Sequence, residues 1–528
     1  MLVNVGPESF IERVDGKYVD KTGLLAKLNQ FIKDCEKFIC VVRPRRFGKT
    51  ITANMINAYY SKASDTSFIF DKLKISQDES YRKYLNKYDT IYLDMISFVQ
   101  ANDPNGDHFL SNLTTTLLEE LKESFSKAFE KLKENAQLEE VLPKILDVYG
   151  NKFVVIIDEW DCVFRTFENN IQLQKEYATF LSYLFKSQFA QRGIALAYMT
   201  GILPIKRYSN QSLFNNFSEI TMLKTYGLGE YMGFTEDEVK ALCEKYDIDF
   251  KKTKQWYDGY RLDGFEIYNP YAIIELTKSK VFDSTWSNTA SNIKIINKIR
   301  LNFDCLREDL ASLINGETLF FELPSKSSNA LYNLDSKQAI FASLIYLGYF
   351  AFNANNNTIF IPNEDVRREL IDIFLRDPID NDNDIVSLSK SFFEAIISHD
   401  TKSVASTLEY IHDNLVPKNK YNNEESLRSV IMLSLVYAQR MYKKPVAEMP
   451  AGKGFADLIL EPRTEYFDKY PALVFEFKWN KTAQEAMNQI KDRHYQEALD
   501  QYQGDVLLVG VNFDEKTKKH DCIIEKAL

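Results

Sequence analysis

The residues best placed to do chemistry are Gly48, Lys49 and Thr50, with Asp158 and Glu159 far downstream. Gly-Lys-Thr between an apolar strand and a helix is an arrangement that binds phosphate. Amides of a tight loop converge at the positive end of the helix, the lysine neutralises β- and γ-phosphate oxygens, and the next hydroxyl holds Mg²⁺. The full loop reads Arg43-Pro44-Arg45-Arg46-Phe47-Gly48-Lys49-Thr50, with Arg43 where the usual pattern has its first glycine. The tripeptide alone is a weak signal; its second half strengthens it. Phe153-Val154-Val155-Ile156-Ile157 runs straight into Asp158 and Glu159, and two acids at the end of a buried strand are costly without partners. In a phosphate-loop enzyme the aspartate holds the magnesium shell and the glutamate polarises the attacking water. The expected nucleotide contacts are therefore Arg45, Arg46, Phe47, Gly48, Lys49, Thr50, Asp158 and Thr200. Thr50 and Asp158 hold the metal, and Glu159 is catalytic. Thr200, ending the next strand, is the candidate sensor beside the γ-phosphate. Arg207 reads equally as an arginine finger or a plain surface residue.

A second constellation lies near the end of the chain. GKGFADLIL (452–460) precedes LVFEFKW (473–479). Period-two alternation puts Glu476 and Lys478 on one face of a strand, away from Phe475 and Phe477. An aspartate on one strand with Glu-x-Lys on its neighbour is the ligand set of a metal-dependent nuclease. Asp457 and Glu476 would share a divalent ion, and Lys478 would orient or help deprotonate a water for in-line attack on a phosphodiester. Glu425 is a candidate further acid, with Glu448 competing for that role. The pattern D…E-x-K alone is common by chance; its two apolar strands and the helix carrying Gln489 and Tyr495 make it more selective.

The elements that must position these groups can be read from the same rows. EKFICVV (36–42) is a short buried strand, followed by the loop and a helix through ITANMINAYYSKA. TIYLDMISF (90–98), FVVIIDEWD (153–161) and IALAYMTGILP (194–204) are further strands, and 107–149 is helical. Strands alternating with helices predict an α/β unit with a largely parallel sheet. From about 234 the pattern turns helical. Thr235 and Glu238 form a capping-box start, and Pro270 opens another helix. WYDGYRL (256–262) is an aromatic turn; it is read as a small core anchoring a helical lid, in preference to a base-stacking surface. A small β element falls near 355–363, and RDPIDNDNDI (376–385) is the best linker. The last segment reads helix, strand, strand, helix, strand. The expected domains are 1–233, 234–380 and 386–528.

Composition narrows the class. A chain of 528 residues exceeds one ordinary core, and 45% hydrophobic with 27% charged residues excludes disorder. The net charge of −10 means that any nucleic-acid contact must use a local basic patch. The 6 cysteines and 5 histidines are scattered without zinc-ligand spacing, so disulfides and a zinc site are not expected. The N-terminus mixes Pro, Glu, Arg and Asp, unlike a signal peptide, and no apolar run approaches a membrane span. A soluble, cytoplasmic protein without membrane contact is expected.

RPRRFGKT, IIDEWD, MTGILPI, GFTEDEV, WYDGY and IYNPYAI occur in order, and together they resemble the AAA-ATPase-like family, whose members often carry a C-terminal PD-(D/E)XK nuclease-like domain. The resemblance spans nearly the whole chain. It implies that Arg43 in place of glycine is a family habit, and that VDKTGLL (19–25) lies near the nucleotide. It further implies a P-loop NTPase parallel sheet, a mainly helical middle region and a C-terminal α/β restriction-endonuclease-like domain. The cofactors would be ATP and Mg²⁺, with Mn²⁺ an alternative at the C-terminal site, and DNA is the implied partner. Phe455, where that domain often has a basic residue, departs from the pattern. Two readings of function follow: an ATP-hydrolysing enzyme coupled to a metal-dependent nuclease-like module, or an ATP-switched signalling or scaffold protein whose nuclease-like domain is inactive. A third, weaker reading is a nucleic-acid motor without cleavage. Oligomeric state stays open.

Overall fold

The structure is a computed structural model. It describes the whole chain except residues 15, 35, 203, 206–215, 286–296, 300–305, 323–333, 335, 376–384, 416–422, 452–453, 494–498, 500–501, 503 and 528. Two compact units emerge, Met1–Thr285 with Leu323–Ala351, and Trp286–Glu322 with Phe352–Leu528.

The first unit is organised by strands β1 (Phe38–Val42), β2 (Asp89–Asp94), β3 (Phe153–Asp158), β4 (Ile194–Gly201) and β5 (Ser218–Ile220). They pair in the order β2–β3–β4–β1–β5, all parallel. Every residue of β3 and β4 is buried, as expected of strands covered on both faces. On one face Ile39, Val41, Val154, Ile156 and Tyr198 pack with residues of α2 (Gly23–Asp34) and α3 (Lys49–Tyr60), with α1 (Glu8–Val14) adding Phe10. On the other face Val155, Ile157 and Met199 meet Leu113, Leu117 and Leu121 of helix Phe109–Ser124, and Leu181 of helix Ile171–Lys186. Strand β2 is shorter than TIYLDMISF suggests. The Asp94 carboxylate accepts the Ile96 N–H at 3.2 Å and turns Met95–Phe98 into a 3₁₀ helix.

A small antiparallel sheet, β6 (Phe234–Thr235), β7 (Tyr260–Leu262) and β8 (Phe265–Tyr268), follows in the order β6–β8–β7. Its neighbouring helices start where the sequence places them. The Thr235 N–H donates to Glu238 at 2.8 Å, and Asn269 accepts from the Tyr271 N–H at 3.0 Å ahead of helix Pro270–Ser279. Trp256, Tyr257 and Tyr260 are buried, so the aromatic turn is core. Further along, β9 (Leu319–Phe320), β10 (Ala351–Asn353) and β11 (Thr358–Phe360) form a sheet ordered β10–β11–β9. Most of the expected linker, 376–384, lies outside the described residues.

The second unit closes with β12 (Val446–Ala451), β13 (Gly454–Leu460), β14 (Ala472–Trp479), β15 (Val506–Asp514) and β16 (Lys519–Lys526), paired in that order. Only β14 and β15 run parallel, joined through helix Ala483–Arg493, whose Met487 and Ile490 bury against Val474 and Leu508. Strands β12 and β16 extend the sheet beyond the three strands legible in the sequence. Among the described residues no helix is long and apolar enough to cross a membrane.

Candidate functional site

In the first unit, helix α3 begins at Lys49 behind Gly48, whose φ of +78° is left-handed. Arg46, at φ +70°, makes a second such turn, so the loop from β1 doubles back before the helix. The Lys49 ammonium is 7% exposed and donates to the carbonyls of Arg43 at 3.1 Å and Pro44 at 2.9 Å. Burial lowers its pKa, opposed by the charges of Glu159, Asp158 and Asp161. Thr50 is exposed at the first turn.

The ends of β3 and β4 face this turn. Asp158, 2% exposed, accepts a hydrogen bond from the Thr200 hydroxyl, which in turn accepts the Glu159 N–H at 3.2 Å. Thr200 thereby fixes both acids from behind. Glu159 has φ +55° and pairs with Arg165, whose Nε lies 3.2 Å from Asp161. Burial raises the Glu159 carboxyl although Lys49 and Arg165 oppose it. Asp94, paired with Asp158 across β2 and β3, is also raised, first by burial and then by the charge of Asp158.

The remaining loop residues divide. Arg45 is half-buried; burial lowers its pKa, the neighbouring Arg165 adds to that, and Glu159 and Asp161 oppose it. The Arg46 guanidinium lies 4.4 Å over the Tyr271 ring and donates to the Thr285 carbonyl. Phe47 packs edge-on against Tyr260, with ring centroids 5.5 Å apart. Arg43 points inward: it is fully buried, its Nη1 donates to the Val42 carbonyl at 3.1 Å, and its Nε and Nη2 have no partner among the described residues. Burial lowers it to about 10. A cleft of about 730 Å³ opens on the loop, lined by Tyr18, Arg45, Gly48, Thr50, Glu159 and Tyr271 among others. Val19 and Lys21 of the VDKTGLL segment also line it, Lys21 being tied to Glu238 at 2.5 Å. An open cleft at a helix N-terminus, with a buried ammonium on one side and carboxylates on the other, fits a nucleotide with its divalent cation.

In the second unit, β13 and β14 pair Leu458 with Phe475, so Asp457 and Glu476 are neighbours across the two strands. Asp457 accepts the Phe477 N–H at 2.7 Å. Glu476 is 1% exposed; its Oε1 accepts from Lys478 at 2.8 Å and from Gln489. Its Oε2 is buried without a partner among the described residues. Burial, then the charge of Asp457, pushes Glu476 up to about 7, and burial also raises Asp457. An orphaned carboxylate oxygen beside a second carboxylate fits a cation. Glu425 is 77% exposed and 3.7 Å from Arg428; the acid whose charge reaches Asp457 is Glu424. No group of three or more His, Cys, Asp or Glu among the described residues could hold a metal. The side chains of Glu448 and Phe455, and Arg207, Gly452, Lys453 and Tyr495 altogether, lie outside the described residues.

Motif reading missed Arg165, Asp161, Asp94 and Glu424. Only Arg165 left a local signal, lying one helical turn after Asp161.

A parallel sheet with a phosphate-type loop between β1 and α3 and acids at the tip of β3 defines a P-loop ATPase-like domain. The comparisons make this specific: the chain joins a domain of the predicted AAA-ATPase family, matched over residues 5–211, to one of the PD-(D/E)XK nuclease superfamily, matched over 422–522. The architecture expected from the motifs is the one found. The chain is 21% identical over 293 residues to an uncharacterized protein in the vnfD 5' region of Azotobacter chroococcum mcd 1; the match covers 54% of each, so the chain spans about half the length of that relative. Among solved structures it is similar to the Walker-type ATPase PABY2304 of Pyrococcus abyssi, at 12% identity and a TM-score of 0.32 over 65% of this chain and 94% of that one. The ORC2 protein of Aeropyrum pernix, in ADPNP–ADP complexes, gives 12% and 0.32 over 69% and 96%.

Proposed function

We propose that this chain binds and hydrolyses ATP and couples that cycle to a metal-dependent nuclease-like module acting on DNA. Residues 1–233 would form the ATPase, 234–380 its helical lid and 386–528 the nuclease-like part. The observation that carries the reading is the juxtaposition, in one sheet, of the loop ahead of α3 with Asp158 and Glu159 at the end of β3.

Lys49 would exchange its two loop carbonyls for β- and γ-phosphate oxygens, a trade of neutral acceptors for charged ones that strengthens each hydrogen bond. Loop amides and the start of α3 would hold the phosphate chain, with Arg45 and Arg46 adding positive charge. Thr50 and Asp158 would hold magnesium, which when bound screens the phosphate charge. Glu159 would polarise the attacking water, and Thr200 would keep both acids in register. In the second unit Asp457 and Glu476 would hold Mg²⁺ or Mn²⁺, and Lys478, anchored on Glu476, would orient the attacking water.

The test is phosphate release from ATP together with cleavage of plasmid and single-stranded DNA by the purified protein, with Mg²⁺ or Mn²⁺, with and without ATP. The expected result is hydrolysis and metal-dependent cutting, the cutting lost in Asp457→Ala and Lys478→Ala. No cutting by the parent under any condition would leave the second unit a binding module in an ATP-switched protein. No phosphate release, with or without DNA, would sink the ATPase reading.

A further inference from the structure

We propose that Asp94 is the second carboxylate of the nucleotide site, holding through water the divalent cation that accompanies the triphosphate, beside Asp158. The inference rests on the nucleotide reading above and assigns a residue that neither the loop nor the β3 motif marks.

Strands β2 and β3 are parallel and pair Asp94 with Asp158. Residues paired in this way project to the same face of a sheet, at a strand spacing of about 4.8 Å. That face is the one covered by α3: Tyr92, two residues before Asp94, packs in the cluster that contains Ala53 and Met55 of α3. On the other side of Asp158, Thr200 donates its hydroxyl to the Asp158 carboxylate. Asp94, Asp158 and Thr200 thus form a row across three strand ends beneath the first turn of the helix that carries Lys49 and Thr50.

Neither acid of the row forms an ion pair among the described residues. Asp94 accepts backbone amides from Ile96, at 3.2 Å, and Ser97, and no Lys or Arg among the described residues forms an ion pair with it. The ammonium of Lys49 is directed to carbonyls of its own loop. Glu159 is separately engaged by Arg165. Two neighbouring carboxylates repel unless a cation sits against both, and the phosphate loop opposite is where a nucleotide would bring one. The single-residue register between β2 and β3 therefore supplies a pair of acids where the motif supplies one.

The test uses the full chain, with Mn²⁺ as the probe. Asp94→Asn keeps the side-chain oxygen that caps Met95–Phe98, and Asp94→Ala removes it. Free Mn²⁺ is followed by electron paramagnetic resonance in the presence of a non-hydrolysable ATP analogue, and a fluorescent ATP analogue is titrated in EDTA. Both variants should weaken Mn²⁺ in the ternary complex roughly ten- to a hundredfold, the range for outer partners of a metal site, and bind metal-free nucleotide within about twofold of the parent. An unchanged Mn²⁺ affinity in Asp94→Asn overturns the proposal. So does loss of nucleotide binding in EDTA, which would make Asp94 a purely structural cap. A parent that binds no nucleotide in either condition would instead sink the underlying nucleotide reading.

Discussion

Each unit brings a lysine and two carboxylates together, from the start of α3 and the end of β3 in the first and from β13 and β14 in the second, yet the groups are satisfied in opposite ways. In the first unit Lys49 is spent on neutral carbonyls, Asp158 on a hydroxyl and Glu159 on Arg165. Anion and cation sites are kept apart, so a ligand carrying both a phosphate chain and a metal can engage each without breaking an internal ion pair. In the second unit Lys478 is paired directly with Glu476 inside the fold, and one Glu476 oxygen has no partner among the described residues. Charge there is balanced within the site apart from one acceptor, so a small cation or a proton completes it. On the proposed reading the first arrangement would receive a large polyanion and the second one positive charge.

Breaking the first arrangement should give the largest effects. Glu159→Gln is nearly isosteric and removes the charge that pairs with Arg165 and that, on the proposed reading, polarises water, so turnover should fall by about 10²–10⁴-fold while nucleotide affinity stays near that of the parent. Phosphate release and fluorescent-nucleotide titration separate the two; a variant that turns over normally would show that Glu159 serves only Arg165. Lys49→Ala removes the ammonium that the triphosphate would capture. Affinity should fall about a hundredfold, or about 2.8 kcal/mol. Unchanged ATP binding by Lys49→Ala would mean that the cleft holds something else.

These two residues were legible because their signals are local. Gly48-Lys49-Thr50 and Ile157-Asp158-Glu159 are contiguous, and each follows an apolar strand whose end the sequence marks. The β13 and β14 acids were legible for the same reason. What stayed hidden depends on pairing. Asp94 reads as one acid inside TIYLDMISF until the β2–β3 register sets it beside Asp158. Glu424 and Glu425 are adjacent, about 100° of helix rotation apart, and both exposed at the start of helix Glu424–Ser434, and it is the charge of Glu424 that reaches Asp457. Strands β12 and β16 are edge strands, with weaker apolar patterning than the buried strands between them.

A packing change sharpens the comparison from the other side. A Cβ on Gly510 would lie 2.7 Å from the Ala483 carbonyl oxygen and 3.0 Å from the Met487 nitrogen, both backbone atoms. Gly510→Ala should therefore push helix Ala483–Arg493, and with it Gln489, off β15, at a cost of about 1–3 kcal/mol. Urea unfolding should show the loss while ATP affinity holds. Equal loss in both readouts would show that the two sites do not respond independently.

The smallest effect is the most specific to the bare oxygen of Glu476. Its ordinary carboxyl value is 4.5 and burial raises it to about 7. Between those values the folded protein binds a proton that the unfolded chain does not, so this group's contribution to stability falls as pH rises through the window. A cation must displace that proton below about 7 and finds the site already ionised above it. In nucleotide-free protein, stabilisation by Mn²⁺ should therefore be larger at pH 8 than at pH 6, by roughly 2–4 °C for each kcal/mol of binding. Glu476→Gln should remove both the shift and its pH dependence. A Mn²⁺ shift of equal size at the two pH values, or one that survives Glu476→Gln, would place the cation elsewhere and leave the second site closed on its own lysine.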